Sequence, residues 1–163
     1  MSRRTTRILV IVIVVLAAAA LTYLLGFALS GASQARELAA NEQKWQAQNI
    51  THYRMNVHIG CFCPFYDRMP LTVEVLDGKV LSVTDSQGQA VAQDDPIRSF
   101  GNEQLMTMDG VFAYAREAVR TADETKLSYD PVLGYPVSLS IDRIKLAMDD
   151  EMSVQVSELQ VLP

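Results

Sequence analysis

Residues that build reactive sites are scarce in this chain of 163 residues, which has two histidines, two cysteines and one tryptophan. The G-x-S-x-G elbow, the H-E-x-x-H zinc motif and the phosphate-binding P-loop are all missing. His52 and His58 would lie about 20 Å apart on one strand, too far to share a metal ion. Asp142 and Asp149–Glu151 match no EF-hand spacing. The sequence therefore predicts no catalytic residue, no metal site and no cofactor.

Positive charge is sparse after the first seven residues. Without Arg3, Arg4 and Arg7, 11 basic side chains remain against 19 acidic ones, a net charge of −8. A surface of this sign repels the phosphate backbone of nucleic acids. Nucleic acid is therefore not an expected partner.

Charge is absent altogether from one long stretch, the twenty-two residues Ile8–Leu29. A helix of about 20 apolar residues is long enough to cross the hydrocarbon core of a bilayer. Arginines precede the stretch and mixed charges follow it, which predicts a cytoplasmic N-terminus. We therefore expect a single-pass protein of the cell membrane, with a cytoplasmic tip (1–7), a transmembrane helix (8–29) and an extracytoplasmic domain (30–163).

Two further properties of this stretch remain open. Ser30, Gly31 and Ala32 are small enough for signal peptidase, so a secreted domain cleaved near Ala32 is the alternative localisation. Small residues also recur every four positions, which would let two membrane helices approach closely and form a homodimer. An alanine-rich stretch produces such spacings by chance as well. The residues of this face are Ala18, Thr22, Gly26 and Ser30.

The rest of the chain alternates between helix and strand patterns. Ser33–Gln48 has helical spacing, whereas the apolar residues have a period of two from Thr51 to Cys63. Leu71–Asp85 predicts a hairpin around Asp77-Gly78. A three-residue turn with a bulge at Gly78 would place Leu71, Val73, Val75, Leu81 and Val83 on one face.

A second helix and three more strands follow. Thr107 is a predicted cap for a helix that ends near Thr121. The strands are predicted at Lys126–Asp130, at Tyr135–Asp142 and from Met152 onward, with a bulge near Ser157 in the last strand. The order αβββ-αβββ predicts an α+β fold with one antiparallel sheet of about six strands and both helices on one face.

Cys61 and Cys63 are the sharpest candidates for chemistry. The strand pattern places both on the core side, with Cα atoms about 6.6 Å apart, near the upper limit for a disulfide. An extracytoplasmic location favours a local structural disulfide. The alternatives are an exchangeable redox pair, buried free thiols, or thiolates that bind a soft metal.

The polar face of the predicted sheet is a candidate surface for a partner protein. Small hydroxyl and polar side chains can dock a partner, although a solvated antiparallel sheet has the same appearance. The candidate partner-binding residues are Arg54, Asn56, His58, Ser138 and Ser140.

Several motifs, in order, resemble a bacterial family called domain of unknown function 6174. They are Trp45, Ile50–Arg54, Cys61–Pro64, Val75–Val80, Met108–Phe112, Tyr129–Pro136 and Ile141-Asp142. The resemblance covers about residues 40 to 160, and it implies a small exported protein, often tethered as a lipoprotein. This chain departs from that pattern because it has no lipobox cysteine. The resemblance implies no activity.

Together these features favour a non-catalytic binding or scaffolding module of the cell envelope, with an envelope protein as its expected partner. The alternative is a thiol-disulfide or soft-metal handling protein that acts through Cys61 and Cys63.

Overall fold

A computed structural model of the chain describes the backbone of residues 3–99, 103–148 and 150–163, and the side chains of 12–22, 31–98, 103–148 and 150–163. Its helices are α1 (Arg3–Gln46), α2 (Pro96–Ser99) and α3 (Met108–Thr121), and its strands are β1 (His52–Gly60), β2 (Leu71–Leu76), β3 (Lys79–Thr84), β4 (Glu124–Tyr129), β5 (Pro136–Asp142) and β6 (Met152–Val161). Residues 1–36 and 37–163 form two compact units.

The six strands form one antiparallel sheet in the order β3-β2-β1-β6-β5-β4. Each half of the chain contributes three neighbouring strands, and β1 and β6 join the two halves at the centre. The predicted α+β fold with a six-stranded antiparallel sheet is confirmed.

One face of the sheet is buried against the helices. Tyr53, Met55, Val57 and Ile59 alternate along β1 with side chains on the opposite face, and all four are buried. Residues of both long helices join the same buried cluster, namely Leu38 and Trp45 of α1 and Met108, Val111, Phe112, Ala115 and Ala118 of α3. This burial removes apolar surface from water, which is the main force that stabilises the fold.

The predicted start of α3 is confirmed. The Gly110 backbone N–H donates to Thr107 Oγ1 at 3.2 Å, which satisfies one of the free donors at the helix N-terminus. A second free donor at this N-terminus, the Met108 N–H, donates to Tyr53 Oη at 2.8 Å. The second bond joins the helix to the centre of the sheet.

Helix α1 passes through Gly31 without a break. In the part of the chain that the structure describes, no helix is both long enough and apolar enough to cross a membrane. The predicted span 8–29 lies in part outside the described side chains, as do Gly26 and Ser30 of the small-residue face. Within that face, Thr22 Oγ1 donates to the carbonyls of Ala18 and Ala19 in its own helix.

The β2–β3 hairpin differs from its prediction. Leu76 pairs with Lys79 across a two-residue turn, in which Asp77 and Gly78 have φ values of 49° and 72°. Positive φ at both positions matches the twist of the strands. The bulge falls in β3 instead, so that Leu81 is 55% exposed, whereas Val83 is buried. The prediction that these two side chains share the buried face was therefore wrong.

The predicted bulge in the last strand is confirmed. Asn56 pairs with Ser157 and Arg54 with Gln160, so two residues of β6 lie opposite Met55. Glu158, one of the two, has a φ of 51°. Leu159 and Val156 are three residues apart, so in a regular strand their side chains would point to opposite faces. Because the bulge adds one residue between them, Leu159 packs against the core as Val156 does.

Candidate functional site

The cysteines lie in a turn that follows β1. The strand ends at Gly60, so Cys61 and Cys63 do not continue it as predicted. The Cys63 N–H donates to the Cys61 carbonyl at 2.8 Å, a tight turn that no extended strand can make. The turn shortens the Cα–Cα distance to 5.2 Å, below the value expected for a straight strand.

The structure joins Cys61 and Cys63 by a disulfide bond. Both side chains are half-buried and pack against the core, whereas Phe62 between them is 94% exposed. The disulfide therefore closes a small loop that presents one phenylalanine ring to solvent. The ring of Tyr66, which follows the loop, contacts His58 edge-on at 5.7 Å between centroids.

Arg68, five residues after Cys63, attaches the segment that follows this turn to the rest of the domain. Its guanidinium donates to both oxygens of Asp95, at 3.1 and 3.0 Å, and its Nε donates to Asp85 at 3.3 Å. Its backbone carbonyl accepts the N–H of Ser86. A two-pronged arginine–carboxylate contact holds both position and orientation.

The two carboxylates that contact Arg68 are stabilised in their charged form. The pKa of Asp85 is lowered first by the backbone N–H of Gln89 and then by Gln87 and Arg68. The pKa of Asp95 is lowered first by Arg68 and then by the N–H of Ile97. These residues were missed from the sequence. Only Asp95, directly before Pro96 at a helix start, carried a recognisable signal.

The five candidate partner-binding residues lie on the outward face of the sheet, with β6 between their two strands. His58 pairs with Gln155, Gln155 with Ser138, and Ser138 with Ser128, which forms one row across four strands. Ser140 lies in the next row, opposite Ser153. The structure therefore places the predicted residues on one polar surface.

Most of these side chains already bond to their neighbours. Arg54 Nη2 contacts Glu74 Oε2 at 2.8 Å. Asn56 donates to Glu158 at 2.8 Å and accepts from Thr72 at 2.9 Å. The hydroxyls of Ser138 and Ser128 lie 2.6 Å apart. A partner would have to replace these internal contacts, which weakens the case for this face as a docking surface.

His52 extends this network to the last residue of the chain. Its Nδ1 lies 2.8 Å from the Pro163 carbonyl and its Nε2 lies 3.2 Å from Glu74. The Pro163 carbonyl and then Glu74 raise the pKa of His52. The pKa of Glu74 is lowered, first by Arg54 and then by His52. The imidazole therefore joins β1 to Glu74 of β2 and to the residues that follow β6.

Acidic side chains gather at the end of the sheet where β5 stops. Burial, followed by the charges of Asp150, Glu151, Glu124 and Asp123, raises the pKa of the Asp142 carboxyl. Among the described residues, no group of three or more potential ligands is arranged to hold a metal ion. Asp149 lies outside the described residues.

The β5–β6 loop at this end exposes apolar side chains. Leu146 is 96% and Met148 91% exposed, and Ile144 is exposed as well. Gly60 pairs with Ser153 at the start of β6, so the disulfide-closed loop leaves the same end of the sheet. Sequence reasoning missed this surface because apolar residues in an acidic loop have no periodicity.

The fold and the site define a small α+β protein, with one antiparallel sheet covered on one face and a disulfide-closed turn at one end of that sheet. Residues 37–161 match the family of unknown function DUF6174, and the chain belongs to this family. The resemblance seen in the sequence is thereby confirmed. No curated protein and no solved structure matches the chain.

Proposed function

We propose that the chain is a single-pass membrane protein whose extracytoplasmic domain binds or scaffolds a partner in the cell envelope and catalyses no reaction. Residues 1–7 form the cytoplasmic tip, residues 8–29 cross the bilayer and residues 30–163 lie outside the cytoplasm. The observation that carries the proposal is the uncharged run Ile8–Leu29, which lies within the continuous helix α1.

The exposure of the described part of this run supports the proposal. Val12, Ile13, Val14, Val15 and Leu16 are between 47% and 64% exposed. Consecutive helical residues point in different directions, so this part of the helix is apolar on all sides. A helix of that kind is stable only in an apolar environment, which a bilayer provides.

A binding role is supported by the surface of the domain. The exposed aromatic and aliphatic side chains of two loops lie at one end of the sheet, in contrast to the internally bonded polar face. Exposed apolar side chains of this kind are typical of surfaces that contact a protein or a membrane.

Alkaline extraction of membranes tests the anchor. The full-length protein should stay in the pelleted membranes. A variant with Val14→Asp and Leu16→Asp should move to the supernatant, because each charge near a helix centre costs about 2.5–3.5 kcal/mol on insertion. Val132→Asp is the matched control, since it places a charge on an exposed loop.

Either of two results would contradict the anchor. One is release of the wild-type protein from the membrane on extraction, and the other is a measured mass that places the N-terminus at Ser33. The second result would mean cleavage after Ala32 and a secreted domain. Protease added outside the cell should digest residues 30–163, and protection of that domain would reverse the proposed orientation.

The disulfide lies in a turn whose central residue, Phe62, is exposed, and both cysteine side chains are only half-buried. This position favours a second candidate function, thiol-disulfide exchange. In that reaction one thiolate of a dithiol reductant attacks a sulfur of the pair and releases the other sulfur as a thiolate. The second thiol of the reductant then resolves the mixed disulfide, which leaves Cys61 and Cys63 reduced and the reductant oxidised. The reduced pair would also be able to bind a soft metal ion.

Thiol trapping separates the two functions. If the disulfide is structural, the folded protein treated with glutathione and an alkylating reagent should gain no label at Cys61 or Cys63, because both side chains pack against the core. The same protein, denatured and fully reduced, should gain two labels. Rapid double labelling of the folded protein would favour exchange over the structural role.

A further inference from the structure

The two loops that leave the end of the sheet where β1 stops share a common property. The loop closed by Cys61 and Cys63 presents Phe62, and the β5–β6 loop presents Leu146 and Met148, all more than nine-tenths exposed. The first loop leaves β1 and the second leads from β5 into β6, the neighbour of β1, so both lie at this end of the sheet. We refer to their exposed apolar side chains as the apolar tip, which consists of Phe62, Ile144, Leu146 and Met148.

Covalent and hydrogen bonds hold both loops of the apolar tip in place. The disulfide fixes the backbone on each side of Phe62. In the second loop, Arg143 donates to Tyr114 Oη at 2.8 Å, and Lys145 pairs with Glu124 at 3.2 Å. The Ile144 N–H also donates to Asp150 at 2.8 Å. The apolar side chains are therefore exposed although their loops are anchored to the domain.

The length of the chain brings a lipid surface within reach of the domain. The uncharged run ends at Leu29 and the compact unit begins at residue 37. Eight residues of chain span at most about 30 Å. If residues 8–29 cross a bilayer, the domain is tethered within that distance of its headgroups.

From this placement we propose that the apolar tip inserts into the interfacial region of the bilayer that anchors the chain. The inference rests on the proposed function, because it needs the domain to be tethered beside a membrane. Burial of exposed phenylalanine, leucine and methionine side chains at the boundary between headgroups and acyl chains is favourable. The tip thereby holds the domain against the surface.

The charges near the tip identify the kind of lipid. Acidic side chains outnumber basic ones among the described residues at this end of the sheet, where Asp123, Glu124, Asp142, Asp150 and Glu151 stand against Lys126, Arg143 and Lys145. Anionic headgroups would be repelled by these carboxylates. The preferred surface is therefore a neutral, zwitterionic one.

A fluorescent probe attached to a single added cysteine tests the proposal. The full-length protein, with its disulfide intact, carries Leu146→Cys labelled with an environment-sensitive dye and is reconstituted in phosphatidylcholine vesicles. Val132→Cys is the matched control, because Val132 is 71% exposed on the β4–β5 loop at the opposite end of the sheet.

Spin-labelled lipids should quench the probe at position 146 several-fold more than the probe at 132, and adding Phe62→Ser should reduce that difference. Equal quenching at both sites would overturn the proposal. So would a probe at 146 that is shielded from aqueous iodide but not quenched by lipid, which would indicate a protein partner or a second copy. Alkaline extraction of the same vesicles tests the anchor separately, since a retained protein with a water-exposed tip contradicts only the tip.

Discussion

Replacing Trp45 with alanine should lower the free energy of unfolding by about 3–5 kcal/mol, the usual cost of truncating a buried tryptophan. Trp45 is 5% exposed. Its ring meets Tyr53 and Tyr135 edge-on, at centroid distances of 5.6 and 6.0 Å. The substitution removes both aromatic contacts and leaves a cavity between α1 and the sheet. Urea unfolding followed by circular dichroism measures the loss, because the only tryptophan fluorophore disappears with the mutation.

A matched control for this prediction is Phe62→Ala, which truncates an aromatic ring that is already in solvent. The control should change the free energy of unfolding by less than about 0.5 kcal/mol. If the two variants lose similar stability, Trp45 does not join α1 to the sheet in the way the structure describes.

The second large effect is expected for Tyr53→Phe, which keeps the ring and removes one oxygen. The Met108 N–H at the first turn of α3 would then lose its buried acceptor. Leaving a buried donor without a partner costs about 1–3 kcal/mol. Urea unfolding should show this loss, whereas Tyr66→Phe, at an exposed tyrosine, should leave the midpoint unchanged.

An alkaline titration gives Tyr53→Phe a second and independent readout. Burial raises the pKa of Tyr53 to about 12, whereas an unfolded tyrosine ionises near pH 10. The folded state therefore retains the proton longer, so stability should fall as the pH rises from about 10 to about 12. Tyr53→Phe should lose only the share of this pH dependence that Tyr53 contributes, because burial also raises the pKa of Tyr129 to about 12. An alkaline slope that does not change at all would show that Tyr53 contributes nothing to it.

Local patterns in the sequence were sufficient for most of the fold. The helix stripe of α3, its Thr107 cap and the six strands all follow from spacings of a few residues, because each element must bury one face. The bulge near Ser157 was visible for the same reason, since Leu159 is out of phase with Val156. Family membership was readable too, from ordered motifs along the chain.

The hairpin turn shows where local pattern failed. The apolar pattern favoured a bulge at Gly78, but the structure has a two-residue turn and moves the irregularity to Leu81. The sequence pattern treats every apolar residue as buried. In the structure the twist of the two-residue turn matches that of the strands, and Leu81 is left exposed as a consequence.

The sequence by itself determined the elements, the α+β class and the two cysteines as the sharpest chemical feature. Only the tertiary structure decided that Cys61 and Cys63 lie beyond the strand, that Arg68 joins the segment after their turn to Asp85 and Asp95, and that two separate loops expose apolar side chains at one end of the sheet. The physical reason is the separation along the chain of the residues that are in contact. Periodicity reports contacts a few residues apart, whereas these contacts join residues that only the order of the strands brings together.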